Sequence, residues 1–187
     1  MKNALVVIDM QQGSFTPVTA KYDAESLVGR LNRLAEVVRS AGGAVVFIQH
    51  DGPAGDPHHP EQPGWHLLPS LDLRPGDSII RKRSCDAFLD TGLSDLLRSN
   101  TIERLIITGC ATDYCVDTTV RSALARRYPT IVPSDGHTTS DRQHLPAEKI
   151  IEHHNAIWAD FIAPGGPALV RPCGDLLRRE LLTPAAG

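Results

Sequence analysis

At 187 residues, 41% of them hydrophobic and with a net charge of -3, the chain is long enough for one sizeable core and is expected to form a single domain over residues 1–187. Its 19 Lys and Arg are scattered among 22 acids, so no basic face is offered to nucleic acid or to an anionic membrane. No apolar run approaches the roughly 20 residues that span a bilayer, and MKNALVVIDM carries no signal-peptide cleavage pattern, which points to a cytoplasmic protein with reduced cysteines.

Ala4 to Ile8 is a continuous apolar run closed by Asp9, as a parallel strand buried on both faces reads. From Asp23 to Ala41, Leu27, Leu31, Leu34, Val38 and Ala41 recur at helical steps with charges between them, and Gly42-Gly43 supply a stop. Ala44 to Ile48 reads as a second strand, Ser78 to Ile80 as a third leading into Arg81 and Lys82, and Leu105 to Thr108 as a fourth. Helical patterns follow Thr91 and Cys115. Thr130 to Val132, cut by Pro133, is a brief fifth strand, and a helix opening near Pro146 leads to a sixth strand predicted at Ala156 to Ile162. Strands alternating with helices imply a three-layer α/β/α fold, a doubly wound, Rossmann-like parallel sheet of six strands in the expected order 3-2-1-4-5-6.

Two stretches depart from this alternation. The Pro-, Gly- and His-rich segment between Gln49 and Asp77 is too long for an ordinary connection and is expected to wall a pocket. A C-terminal extension from about residue 163 carries a Pro/Gly linker and a short amphipathic piece from Asp175 to Leu182, with its last residues expected to fray.

Ligands of such sheets bind beyond the carboxyl ends of the strands where the order reverses. Asp9 closes the first strand, Lys82 follows the third and Cys115 lies in the turn after the fourth, so an acid, an amine and a thiol emerge on one edge. In the order given, Lys82 starts about 10 Å from the first strand and must reach inward. The chemistry such a trio supports is nucleophilic: Asp9 can take the thiol proton, Lys82 can offset the negative charge, and a helix starting at Cys115 offers free N–H groups to the sulfur.

Three ordered motifs carry a resemblance. VVIDMQQGSF (Val6 to Phe15), IIRKRSCDAFLDTGL (Ile79 to Leu93) and LIITGCATDYCVDTTVRSAL (Leu105 to Leu124) resemble, in order and spacing, the isochorismatase-like cysteine hydrolases, which include nicotinamidases and N-carbamoyl amidohydrolases. The resemblance implies Asp9 as general base, Lys82 as second member of a triad and Cys115 as the nucleophile that forms an acyl-enzyme. It also implies an oxyanion hole from the backbone N–H groups of Ala111 and Cys115, a cis peptide at Cys110-Ala111, and assembly as a homo-oligomer. The reaction it suggests is cleavage of a C–N bond in a small carboxamide or N-carbamoyl compound. Relatives that hydrolyse the vinyl ether of isochorismate do so without a nucleophilic cysteine, so Cys115 argues against that alternative. A non-catalytic member serving as a binding or scaffold subunit is the other.

Cys110 reads as packing, Cys85 has no matching role, and Cys173 falls in the variable tail. The C-x4-C pair Cys110 and Cys115 lacks the second pair of a structural zinc site. Nicotinamidases hold a metal through an Asp and several His near the end of the second strand, where this chain has His50, Asp51, His58, His59 and His66, but their Asp-x-His arrangement is absent and no cofactor is expected. For the small-molecule substrate, Phe15, His50, Trp65, Phe88 and Tyr114 are the candidate pocket residues.

Overall fold

The computed structural model describes residues 1–179. β1 (Asn3–Ile8) is buried along its whole length, with Ala4, Val6 and Ile8 facing one core and Leu5 and Val7 the other. From Ala4 to Ile8 the run is apolar at every position because both faces are covered. β1 pairs in parallel with β2 (Ala44–His50) and with β4 (Arg104–Cys110), β2 with β3 (Ser78–Lys82), and β4 with β5 (Thr130–Pro133). The two-residue β6 (His137–Thr138) continues the same edge of β4 beyond β5, and β7 (Leu169–Arg171) pairs with β5. The order β3-β2-β1-β4-β5-β7 is the doubly wound one.

α1 (Ala24–Ser40) buries Leu27, Leu31, Leu34, Ala35 and Val38 on one face of the sheet, where α5 (Cys173–Arg179) adds Leu176 and Leu177. α2 (Leu93–Ser99), α3 (Asp117–Ala125) and α4 (Ala147–Ala159) cover the other face. None of the helices among the described residues is long and apolar enough to cross a membrane.

The last strand is not where the sequence reading put it. Ala156 to Ala159 is the final turn of α4, Ile162 beyond it is 97% exposed, and the edge strand is Leu169–Arg171, inside the stretch read as linker. The reason is Trp158, which shares a buried helical face with Ala147 and Ile150 and donates Nε1–H to Asp117 Oδ1 at 2.8 Å. Extended backbone would turn Ile157 and Trp158 to opposite faces and require cover for both. Leu176 and Leu177, in the amphipathic piece of the C-terminal extension, are buried against the body, while Leu181, Leu182 and the expected fraying lie outside the described residues.

The feature that positions the site is the close approach of β4 to β1. Gly109 has φ +115, and a Cβ there would lie 2.2 Å from the Ile8 carbonyl oxygen. Only glycine permits this approach, which brings the end of β4 and the turn after it beside Asp9.

Candidate active site

Asp9 leaves β1 in a left-handed conformation, φ 47, with its N–H bonded to the Ile48 carbonyl at 2.9 Å. Lys82 closes β3 and runs inward beneath the end of β2, its side chain 0% exposed. Its Nζ lies 2.7 Å from Asp9 Oδ2, 2.9 Å from the Ser84 carbonyl and 3.3 Å from Cys115 Sγ. Asp9 Oδ1 is buried with no hydrogen-bond partner. Cys115 sits inside a π-helical turn, Thr112–Val116, that runs into α3, so the helical run begins at Thr112 rather than at Cys115.

That turn is anchored on both sides. Thr112 Oγ1 is 2.9 Å from His137 Nδ1, His137 Nε2 is 3.1 Å from Asn155 Oδ1, and Asn155 Nδ2 donates to the Ser134 carbonyl at 2.9 Å. Burial pushes His137 down to about 4, so it is a neutral link in this chain. Asp113 accepts from Arg142 Nε at 2.8 Å and from Thr139 Oγ1 at 2.6 Å. The Cys110–Ala111 peptide bond is cis.

Burial and the adjacent Asp9 carboxylate push the Cys115 thiol up, with Lys82 opposing them. Burial works against the Lys82 charge, yet Asp9 and Cys115 outweigh it and hold the ammonium above its ordinary range. The resting arrangement is therefore a thiol beside a buried ammonium–carboxylate pair.

A pocket of about 170 Å³ opens on this group, smaller than the sites that take drug-sized ligands. The end of β4 and the turn after it contribute Cys110, Ala111, Tyr114 and Cys115, and the end of β2 with the segments after β1 and β2 contributes Gln11, Ser14, Lys21, His50 and His58. Gln11 is fully buried and bonds the His50 backbone at both its N–H and carbonyl, while Lys21 Nζ is tethered by the Thr19 carbonyl at 3.1 Å and Ser140 Oγ at 2.8 Å. His50 Nδ1 is buried without a partner, and burial with the nearby Lys82 charge lowers the pKa of the ring.

The pocket residues expected from sequence divide. Tyr114 and His50 line the pocket, and Tyr114 lies under Arg142 with the guanidinium carbon 5.0 Å from the ring centroid. Phe15 and Trp65 do not line it. Phe15 packs on the α1 core, and the Trp65 indole donates to Asp51 Oδ1 at 2.8 Å beneath Arg81, leaving the Trp65 carbonyl to brace Gln11 and Gln49. Phe88 is in the core, stacked on Tyr128. Cys110 is buried and its thiol is pushed up to about 12 by burial; Cys173 is buried beneath α1, and Cys85 is half-buried.

The donor set near the end of β2 does not fit a metal. Asp51 is taken by Arg81 at 2.7 Å and by Trp65, His58 lies between Asp56 at 2.9 Å and Ser14 at 2.8 Å, and His59 turns to Glu61. Among the described residues no group of three or more His, Cys, Asp or Glu is gathered for ligation. Ser14 and the pocket-facing position of His58 had no signal in the sequence beyond their place in the first motif and the His-rich loop, and Lys21, outside both, had none.

The isochorismatase domain model matches residues 3–159. Streptothricin hydrolase of Streptomyces noursei is 35% identical over 143 residues, which cover 76% of this chain but 57% of that protein; for a second streptothricin hydrolase the share is 52%, so the chain spans little more than half the length of these relatives. Ureidoacrylate amidohydrolase RutB of Pseudomonas syringae pv. syringae is 27% identical over 174 residues, covering 72% of this chain and 69% of its own. Among solved structures, an isochorismatase family protein 33% identical superposes with a TM-score of 0.82 over 90% of this chain and 96% of its own. N-carbamoylsarcosine amidase from Thermoplasma acidophilum, 24% identical, shares the fold with a TM-score of 0.73 over 92% of this chain and 97% of its own.

Proposed function

The chain belongs to the isochorismatase family, and from that premise we propose that it hydrolyses a C–N bond of a small carboxamide or N-carbamoyl compound through an acyl-enzyme on Cys115. The observation that carries this reading is the buried, unpartnered Asp9 Oδ1 beside a thiol that burial keeps protonated. Such a thiol becomes a nucleophile only as its proton leaves, so Asp9 takes the proton while Sγ attacks the carbonyl carbon. Lys82 holds Asp9 in place through Oδ2 and balances the charge as it passes from the carboxylate to the sulfur and the carbonyl oxygen. The oxyanion is received by the N–H groups of Ala111 and Cys115, at the start of the helical run where unpaired donors collect.

Collapse of the tetrahedral adduct breaks the C–N bond as Asp9 returns the proton to the departing nitrogen. Water then attacks the thioester, Asp9 accepts its proton and passes it to the sulfur, and the acid product leaves. The streptothricin and ureidoacrylate hydrolases among the relatives lend support to a hydrolase reading. The test is ammonia release across small amides and ureides: turnover by the native chain and none by Cys115→Ala is expected, and equal release by both overturns it.

We further propose a homo-oligomer, on the exposed apolar group of Ile157 and Ile162 beside Phe161. Light scattering that returns the 20.3 kDa mass of one chain refutes it.

A further inference from the structure

One hydrogen-bonded line in the pocket has no part in the thiol chemistry. Asp56 Oδ1 accepts from the His58 backbone N–H at 2.7 Å and lies 2.9 Å from His58 Nδ1, and His58 Nε2 lies 2.8 Å from Ser14 Oγ. Ser14 and His58 line the pocket with Cys115. The backbone N–H of His58, then its ring, hold the Asp56 carboxyl below the usual carboxylate range against the opposing effect of burial.

A carboxylate only accepts, so Nδ1 of a neutral His58 carries the ring proton and Nε2 presents its lone pair. Ser14 then gives its single proton to Nε2 and turns oxygen lone pairs to the pocket. The loops are shaped around this line: a Cβ at Gly52 would lie 2.7 Å from Asp56 Oδ1, one at Gly13 would lie 3.2 Å from His58 Nε2, and one at Gly64 would lie 2.5 Å from the Pro57 carbonyl oxygen. Glycine at each place lets the segments close on the three side chains.

We propose that Ser14, aligned by His58 and Asp56, is a hydrogen-bond-acceptor subsite that binds an N–H of the substrate beside the scissile carbonyl, so that the pocket prefers ureides to alkyl amides. The assignment rests on the C–N hydrolase reading for its ligand class. Ser, His and Asp in this order also make a nucleophile, its base and an orienting acid. Here, however, the N–H groups of Ser14 and Phe15 are engaged by the Gln11 and Gln12 carbonyls at 3.0 and 3.1 Å, so neither can stabilise an oxyanion formed on Ser14.

Calorimetric titration of the full-length Cys115→Ala protein separates binding from turnover. N-butylurea and hexanamide differ by N–H against CH2 next to the carbonyl, and butylurea is expected to bind about tenfold more tightly. Adding Ser14→Ala should weaken butylurea alone and bring the pair within about twofold, whereas Ser14→Thr, which keeps the hydroxyl, should retain the preference. Asp56→Asn, which frees His58 to take its other tautomer, should also remove it. Melting curves matching the parent show that each variant is folded. Equal affinity for the two ligands, failure of both to bind, or a preference that survives Ser14→Ala overturns the subsite, as does a fluorophosphonate adduct on Ser14. Ammonia release by the native chain tests the hydrolase reading separately and can succeed while the preference fails.

Discussion

The two sides of the pocket are built by different means. Asp9, Lys82 and Cys115 come from strand ends and the start of a helix, and their charges are almost wholly buried, with the Lys82 and Asp9 side chains 0% and 9% exposed. Ser14 and His58 come from the segments after β1 and β2, are uncharged when the imidazole is neutral, and are only partly buried. Backbone hydrogen bonding fixes the first group to the sheet, whereas the second depends on glycines that let one loop lie against another. Atoms that must react belong where the backbone is stiffest, and selection of a ligand can be left to segments that vary without moving the sheet.

That division is sharpest in activity. Cys115→Ser should lower kcat/KM for ammonia release by at least about a thousandfold, because a hydroxyl is far harder to deprotonate in a site that already opposes charge on a thiol. Cys110→Ala should stay within about threefold, and Ser14→Ala should lose about tenfold on a ureide. Steady-state rates showing Ser14→Ala as damaging as Cys115→Ser would erase the distinction between the two sides.

In stability the contrast runs between a buried ion pair and a more exposed hydrogen-bonded pair. Removing either member of Asp9–Lys82, by Asp9→Asn or Lys82→Met, strands a buried charge and should cost about 3–5 kcal/mol, while the double variant should cost well under the sum. Asp56–His58, with side chains 37% and 20% exposed, should contribute no more than about 1 kcal/mol. Urea denaturation of Asp9→Asn, Lys82→Met, their double variant and Asp56→Asn checks both, and additive losses at Asp9 and Lys82 would show that the pair is not coupled.

The same contrast governs what the sequence could reveal. β1, β2 and β4 are legible because double burial makes them continuous apolar runs, and the residues following them fall on one sheet edge by topology. Trp158 deceived because Ala-Ile-Trp-Ala-Asp-Phe-Ile also reads as a strand; the spacing of Ala147, Ile150 and Trp158 was the helical signal that decided it. β7 had no such signal, being three residues between prolines. The Ser14–His58 contact joins residues 44 apart through loop packing, and no local pattern reports it. Trp65 was drawn into the pocket by its loop, but its indole serves Asp51.

A smaller effect is expected behind the thiol. Burial holds His137 at about 4 in the folded chain against an ordinary 6.5, so the unfolded chain takes its proton more readily. The stability this group contributes is present above pH 6.5 and is lost as pH falls through about 4, a change of about 3 kcal/mol. His137→Gln, which keeps polar contacts and cannot titrate, should flatten the denaturation midpoint over that interval. An unchanged slope would mean that His137 does not carry the acid sensitivity of the turn bearing Cys115.

The smallest expected effect is that of chelation, which should leave the rate unaltered. For a metal to enter the loop side, Asp51 would have to leave both Arg81 and Trp65, and His58 both Asp56 and Ser14. His50 Nδ1 is the one buried side-chain nitrogen without a partner among the described residues, and a single ready donor falls short of the three protein ligands typical of a catalytic zinc. Ammonia release after exhaustive treatment with EDTA should match the untreated rate. Loss of activity, restored by zinc, iron or manganese, would mean that the loops rearrange to gather ligands. The loop side would then take part in the chemistry itself, and the separation between a reacting wall and a selecting wall would not hold.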